Sequence, residues 1–231
     1  MFKVGTTNES TRVAWIEETL KKIPAGSRIL DAGAGECQFK KFCTHLEYTS
    51  QDFAQYTGEG SVGLQTGSWD NSRIDIVSDI ARIPVADGSF DAVMCTEVLE
   101  HVPDPVAALN ELYRVLKPGG RLLITAPFAS LTHFAPYHFA TGFNRFFYEH
   151  HFNRLGLEII DLQMNGNYFE FLAQELRRVK HVGGKYTNRK VGFLEKLLQH
   201  GMLFILQRLS DRDRGSSELL AYGVHIFATR K

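Results

Sequence analysis

Residues 29–39 are ILDAGAGECQF. An apolar pair runs into Asp31, and Gly33-Ala34-Gly35 follows at once. A buried strand enters a nucleotide-binding turn in this way, because glycine permits both the sharp turn and the close approach of a ligand to the backbone. The dinucleotide fingerprint G-x-G-x-x-G is not completed. Gln38 occupies its third glycine position, and Cys37 stands where a D-x-G-x-G-x-G loop would carry its last glycine. Asp31, directly before the turn, would repel a pyrophosphate and would suit a ligand bearing a positive amine. The stretch therefore predicts a strand of a parallel α/β sheet and a ligand other than a dinucleotide.

Outward from this turn, the chain alternates between strand and helix signals. NESTRVAWIEETLKKI places Val13, Ile16, Leu20 and Ile23 at helical spacing, with Ser10 or Thr11 as cap and Pro24 as stop. ECQFKKFCTHL predicts a helix with Phe39, Phe42 and Leu46 on one face, and EYTSQDF a second strand ending in Asp52. Residues 57–73 are rich in Gly, Ser and Asn and predict a long loop, a length that often carries function. IDIVSDI predicts a third strand, FDAVMCT a fourth ending near Thr96, and RLLITAPF a fifth. Between the last two lies PDPVAALNELYRVLKPGG, with Asp104 at the N-cap, Pro105 at N1 and Pro118-Gly119-Gly120 as the stop. Past Phe128 a helix is expected around 142–155, then GLEIIDLQM as a sixth strand. Helices at 167–182 and 190–210 are joined by GGKYTNRK as a turn, and LLAYGVHIFATRK closes the sheet as an edge strand. The expected fold is α/β and Rossmann-like. It has a mostly parallel seven-stranded sheet with helices on both faces and a helical insertion, about 164–218, before the last strand. Residues 1–231 are expected to form a single domain.

Composition narrows the function classes. Lys and Arg total 26, as do Asp and Glu, so no global field draws the chain to nucleic acid. The basic run around 177–190 is expected to be a solvated helix end. Cys37, Cys43 and Cys95 form no C-x-x-C pair, which suits a reducing compartment. With no apolar leader and no apolar stretch of spanning length, a cytoplasmic protein without a transmembrane segment is expected. Residues 190–210 are apolar on more than one face. Core, a homodimer contact and an interfacial membrane helix are the alternatives, the first two being expected.

In an open α/β sheet, ligands bind beyond the carboxyl ends of the strands. Asp31, Asp52, Asp79 and Thr96 each follow a strand there. The ordered set ILDAGAGECQF, SQDF, VSDI, FDAVMCTEVLEHVPDP and LKPGGRLLITAPF resembles the class I S-adenosylmethionine-dependent methyltransferases, most closely the small-molecule branch with an EVLEH segment. The resemblance covers residues 10–130. It implies that Asp31 orients the methionine amine, that Gly33 and Gly35 line that moiety, and that Asp52 holds the ribose hydroxyls. It further implies that Asp79 and Ile80 meet the adenine and that Thr96 lies under the sulfonium end. Trp69, in the long loop, either covers the cofactor or anchors the loop. Cys37 departs from the glycine common at its position; a packing role is expected for it, and a core role for Cys95.

Methyl transfer from S-adenosylmethionine is a displacement on an activated donor, so positioning does most of the work and a base is needed only if the acceptor must lose a proton. The candidate bases are His101, His133 and His138. His101 is also suited to holding the turn after the fourth strand. Phe128, His133, Tyr137 and His138 lie where a substrate wall is expected, whereas 143–152 is expected to be an aromatic core helix. No metal is expected, since no acid–histidine spacing supports one. The acceptor is expected to be a small molecule, with a sugar or glycan-precursor hydroxyl as one candidate, and not nucleic acid. The rival expectation is a non-catalytic adenosylmethionine-binding or assembly protein whose acceptor side is shut by Phe139 and Phe143. A nicotinamide oxidoreductase is disfavoured by Gln38.

Overall fold

A computed structural model describes residues 2–189 and 191–231. Two compact units can be separated, one of residues 13–163 and 223–231, the other of residues 1–12 and 164–222.

The larger unit is built on a seven-stranded sheet. Its strands are β1 (Arg28–Ala32), β2 (Glu47–Asp52), β3 (Ile76–Val77), β4 (Phe90–Thr96), β5 (Leu116–Pro127), β6 (Leu157–Asn165) and β7 (Gly223–Arg230), in the order β3-β2-β1-β4-β5-β7-β6. Pairing is parallel from β3 to β5, and β7 runs antiparallel to β5 from Arg121↔Thr229 to Pro127↔Gly223. The last strand is thus interior, not at the edge that the sequence pattern suggested. Its first six residues, GVHIFA, are all buried, a run that only a strand covered on both faces can accommodate.

The helices of this unit follow from apolar spacing and caps. α1 (Asn8–Leu20) buries Trp15, Ile16 and Leu20 on one face of the sheet, against Ile29, Ala92, Met94, Leu123 and Phe227. It begins at Asn8, ahead of the expected caps. α2 (Pro105–Val115) buries Ala108, Leu109, Leu112 and Val115, and the Asp104 side chain accepts from Ala107 N at 2.9 Å as its N-cap. It stops at Val115, before Pro118, because the chain is already extended from Leu116. α3 (Arg145–Leu155) buries Tyr148 and Phe152. ECQFKKFCTHL forms successive turns with one short 3₁₀ segment at Lys40–Phe42, not the expected helix. The third strand shrinks to two residues at the sheet edge, with Val77 exposed.

The smaller unit holds α4 (Tyr168–Tyr186) and α5 (Phe193–Ser210). Val4, Ala173, Leu203 and Leu206 form its core, with Phe2, Phe169, Leu172 and Leu176 packed around them. Gly183 and Gly184 lie inside α4, so the turn expected at GGKY is instead the last helical stretch. Of α5 only Leu203 and Leu206 are buried, and its other large apolar side chains are exposed. A core role for most of this helix is therefore excluded. Lys190, the first residue of the expected helix, lies outside the described residues. Among the described residues, no helix is long and apolar enough to cross a membrane.

Candidate active site

The glycine turn after β1 is built as its sequence demands. Gly33 and Gly35 adopt φ of 77° and 51°, in the left-handed region that costs glycine least. The turn is tied to β2 by Gly33 N and Ala34 N, which donate to Gln51 O at 2.8 and 2.9 Å. Asp52, at the end of β2, accepts from Gly35 N at 3.0 Å and from Ala54 N at 2.8 Å through different oxygens. Each of these oxygens retains acceptor capacity for a hydroxyl. Asp31 is 1 % exposed, with one oxygen accepting from the Tyr48 hydroxyl at 2.7 Å and the other, Oδ1, without a hydrogen-bond partner. Burial pushes its carboxyl up to about 7, opposed by the Tyr48 hydrogen bond and assisted by the nearby Asp52 charge. A buried acceptor without a donor fits a cationic or N–H-bearing group arriving at this end of the strand.

Two loops meet over these strand ends. The long loop after β2 and the loop after β5 are joined by Leu64 N donating to Thr132 O at 2.9 Å and Phe134 N donating to Leu64 O at 3.1 Å. Tyr56 stacks on Phe134 at 4.3 Å between centroids, and Trp69 stands edge-on to Phe134 at 5.1 Å. The Trp69 ring also lies on Gly35, where an added Cβ would come within 2.5 Å of its Cζ2. Every non-glycine residue described with positive φ sits at these strand ends or loops: Cys37, Ala54, Glu97 and Phe134. Strained backbone collects where a site is being shaped.

A histidine cluster occupies the carboxyl ends of β4 and β5. His101 ends the short turn Leu99–His101 after β4, and His133 and His138 lie on the loop after β5. Ring centroids are 4.6 Å apart for His101–His133 and 4.9 Å for His133–His138. His101 Nδ1 donates to Tyr137 O at 2.5 Å and His133 Nδ1 to Leu131 O at 2.9 Å, because a carbonyl can only accept. In that tautomer Nε2 is the unprotonated nitrogen of each ring. Glu100, fully buried, places Oε1 3.6 Å from His101 Nε2 and 4.0 Å from His133 Nε2. Burial, then the His133 and His138 rings, brings His101 down to about 4 against the opposing Tyr137 carbonyl, and burial and His133 likewise lower His138.

The fold thus gathers Asp31, Gly33, Gly35, Asp52, Thr96 and Trp69 with the histidines at the carboxyl side of the sheet. Thr96 is buried as the last residue of β4, and Ile80 is also buried, but Asp79 is exposed and accepts from Ala81 N at 2.8 Å. Phe128 is half-buried just after β5, and Tyr137 packs edge-on against Phe53 at 4.8 Å. Phe139 is 53 % exposed, and Phe143 is buried beside Phe147 and Tyr148. Glu100, Tyr56 and Phe134 are additions. Only their convergence from separate loops marks them, although Glu100 stands beside His101 in the EVLEH segment.

Residues 30–124 match the family described as methyltransferase domain. With the sheet order and the glycine turn, this segment is similar to the class I S-adenosylmethionine-dependent methyltransferases, and the likeness supports S-adenosylmethionine as cofactor. Among curated relatives, the chain is similar to a ubiquinone biosynthesis O-methyltransferase of Xanthomonas axonopodis pv. citri (strain 306), with 38% identity over 106 residues, 44% of each chain. It is also similar to a demethylmenaquinone methyltransferase of Mycobacterium sp. (strain KMS), with 34% identity over 112 residues, 48% of this chain and 46% of that one. The match spans less than half the length of these relatives. Among solved structures, a putative sarcosine dimethylglycine methyltransferase from Galdieria sulphuraria shares the fold at TM-score 0.56 and 13% identity, over 96% of this chain and 86% of that one. The cyclase SpnF does so at TM-score 0.56 and 17% identity, over 98% and 83%.

Proposed function

We propose that this protein transfers a methyl group from S-adenosylmethionine to a hydroxyl of a small, ring-bearing molecule. The observation that carries this is the buried Asp31 oxygen without a partner, set beside a glycine turn that is itself tied to Asp52. Bound S-adenosylmethionine supplies an already activated methyl group. Asp31 would receive its amine and Gly33 and Gly35 would line that end, while the remaining acceptor capacity of Asp52 would take the ribose hydroxyls. Asp79 and the main chain at Ile80 would border the adenine, Thr96 would lie under the sulfonium end, and Trp69 would cover the ligand. Phe128 and Tyr137 would bound the acceptor, and an Nε2 lone pair of His101, His133 or His138 would accept a departing hydroxyl proton.

A relative named for O-methylation supports an oxygen acceptor. The relatives lend nothing to a sugar or glycan precursor, and we assign the hydroxyl to an aromatic ring, which Phe128 and Tyr137 can stack against. The exposure of Phe139 speaks against a purely non-catalytic binder. A cytoplasmic location is proposed with this function, supported by three free thiols. A homodimer through α5 is proposed as well: Leu194, Leu198, Met202, Ile205 and Leu209 form an exposed stripe at spacings of three and four, suited to a second copy of the same helix.

Calorimetry with S-adenosylmethionine, S-adenosylhomocysteine and NAD tests the core of this reading. Binding of the adenosyl ligands without NAD is expected, and Asp52→Ala should weaken S-adenosylhomocysteine about tenfold or more. A folded sample that prefers NAD, or binds neither adenosyl ligand, overturns it. A screen of ring hydroxyl acceptors, read by mass spectrometry for an added methyl, then tests the acceptor class.

A further inference from the structure

We propose that His101, His133 and His138, together with Glu100, bind one divalent first-row transition-metal ion, with Zn²⁺ as the reference. This goes beyond the methyltransferase reading and does not depend on it, and where the ion is bound the three imidazoles are ligands and no longer the proton acceptor. The three imidazoles offer one nitrogen each, and these atoms all lie within 4.8 Å of one another. At a Zn–N distance of ~2.1 Å, tetrahedral ligands stand ~3.4 Å apart, so small rotations of the rings close the set. Glu100 Oε1 is already near that spacing, at 3.6 and 4.0 Å from the Nε2 atoms of His101 and His133.

The surroundings of the cluster are those of a metal site. His101 and His133 each give Nδ1–H to a backbone carbonyl, Tyr137 O and Leu131 O, and turn Nε2 inward. This second hydrogen bond is what orients imidazole ligands and fixes their tautomer. The ring nitrogens of His138 are both buried and have no hydrogen-bond partner, an arrangement that is costly unless something accepts their lone pair or proton. The loop is held in register from both sides: Phe139 N and Ala140 N donate to Glu100 O at 2.9 and 3.2 Å, and Phe134 N donates to Leu64 O. A donor set of imidazoles with one carboxylate selects Zn²⁺ or a neighbouring transition ion over Mg²⁺ or Ca²⁺, which take oxygen ligands.

The test uses the full chain without a histidine tag, stripped with a chelator and titrated with Zn²⁺, Co²⁺ and Mg²⁺ in the absence of any adenosyl ligand. Saturable Zn²⁺ binding at one ion per chain is expected, with cobalt absorption bands of a nitrogen-and-oxygen site and no competition from Mg²⁺. His133→Ala and His138→Ala should each weaken Zn²⁺ by about tenfold or more, whereas the double substitution His150→Ala, His151→Ala should leave it unchanged. Circular dichroism confirms that each variant is folded, and the cobalt spectrum of the unaltered chain reads the site without any substitution. The proposal is overturned by absence of saturable binding, by affinity that survives both His133→Ala and His138→Ala, or by loss of binding in the His150/His151 variant. Failure here leaves adenosyl-ligand binding, measured separately, as the judge of the methyltransferase reading.

Discussion

Asp31 is a carboxyl group that the fold keeps dry, faced by Tyr48, Cys43 and Asp52. Its proton is held up to about 7 in the folded chain, against an ordinary value of 3.8. Between those two pH values the folded state binds more protons than the unfolded one, so this group lowers stability as pH rises through the window. Asp31→Asn should therefore raise the melting temperature at pH 7.5 and leave it unchanged near pH 3.5, while weakening S-adenosylhomocysteine. For the unaltered chain, affinity for that amine-bearing ligand should rise from pH 5.5 to about 7.5 and then level, as Asp31 ionises. A pH-independent calorimetric affinity would remove Asp31 from the amine. Cys37 belongs to the same scale. Its φ of 57° lies in the left-handed region that glycine adopts at least cost. Cys37→Gly should be tolerated, and Cys37→Val should cost about 1–2 kcal/mol of stability by denaturant titration, because a β-branched side chain resists that conformation.

At the scale of elements, the decisive structure is the pair of loops after β2 and β5. Trp69 lies on Gly35 and against Tyr56 and Phe134, contacts that anchor the loop, and the cover role is read by ligand binding. Binding of S-adenosylhomocysteine is expected to change tryptophan fluorescence, and Trp69→Phe should abolish the change while Trp15, packed in the core, remains. A signal that persists in Trp69→Phe would leave Trp69 as an anchor alone. The elements themselves were unevenly legible. Asp104 and Pro105 announced α2 because caps act locally. The stretch after Gly35 resembled a helix because apolar residues three apart suit a 3₁₀ turn as well, and the left-handed Cys37 then keeps a longer helix from starting.

For the whole molecule, the exposed stripe of α5 is the feature that a lone chain leaves unexplained. Sedimentation should show a dimer, and Leu194→Glu with Leu198→Glu should convert it to a folded monomer that still binds S-adenosylhomocysteine; a monomeric unaltered chain would reject the dimer.

What the sequence determined by itself was local or periodic: the strand into Gly33 and Gly35, the acids after successive strands, the capped helix and the α/β class. Each of these depends on near neighbours in the chain. Tertiary structure alone decided that β7 lies inside the sheet, since an apolar strand does not state its neighbours. It also decided that α5 shows its apolar side chains to solvent. The same holds for the three histidines and Glu100, which come from the turn after β4 and the loop after β5. The sequence spacing of His101, His133 and His138 carries no ligand pattern, because the contact between them is made by loop hydrogen bonds across the ends of two strands.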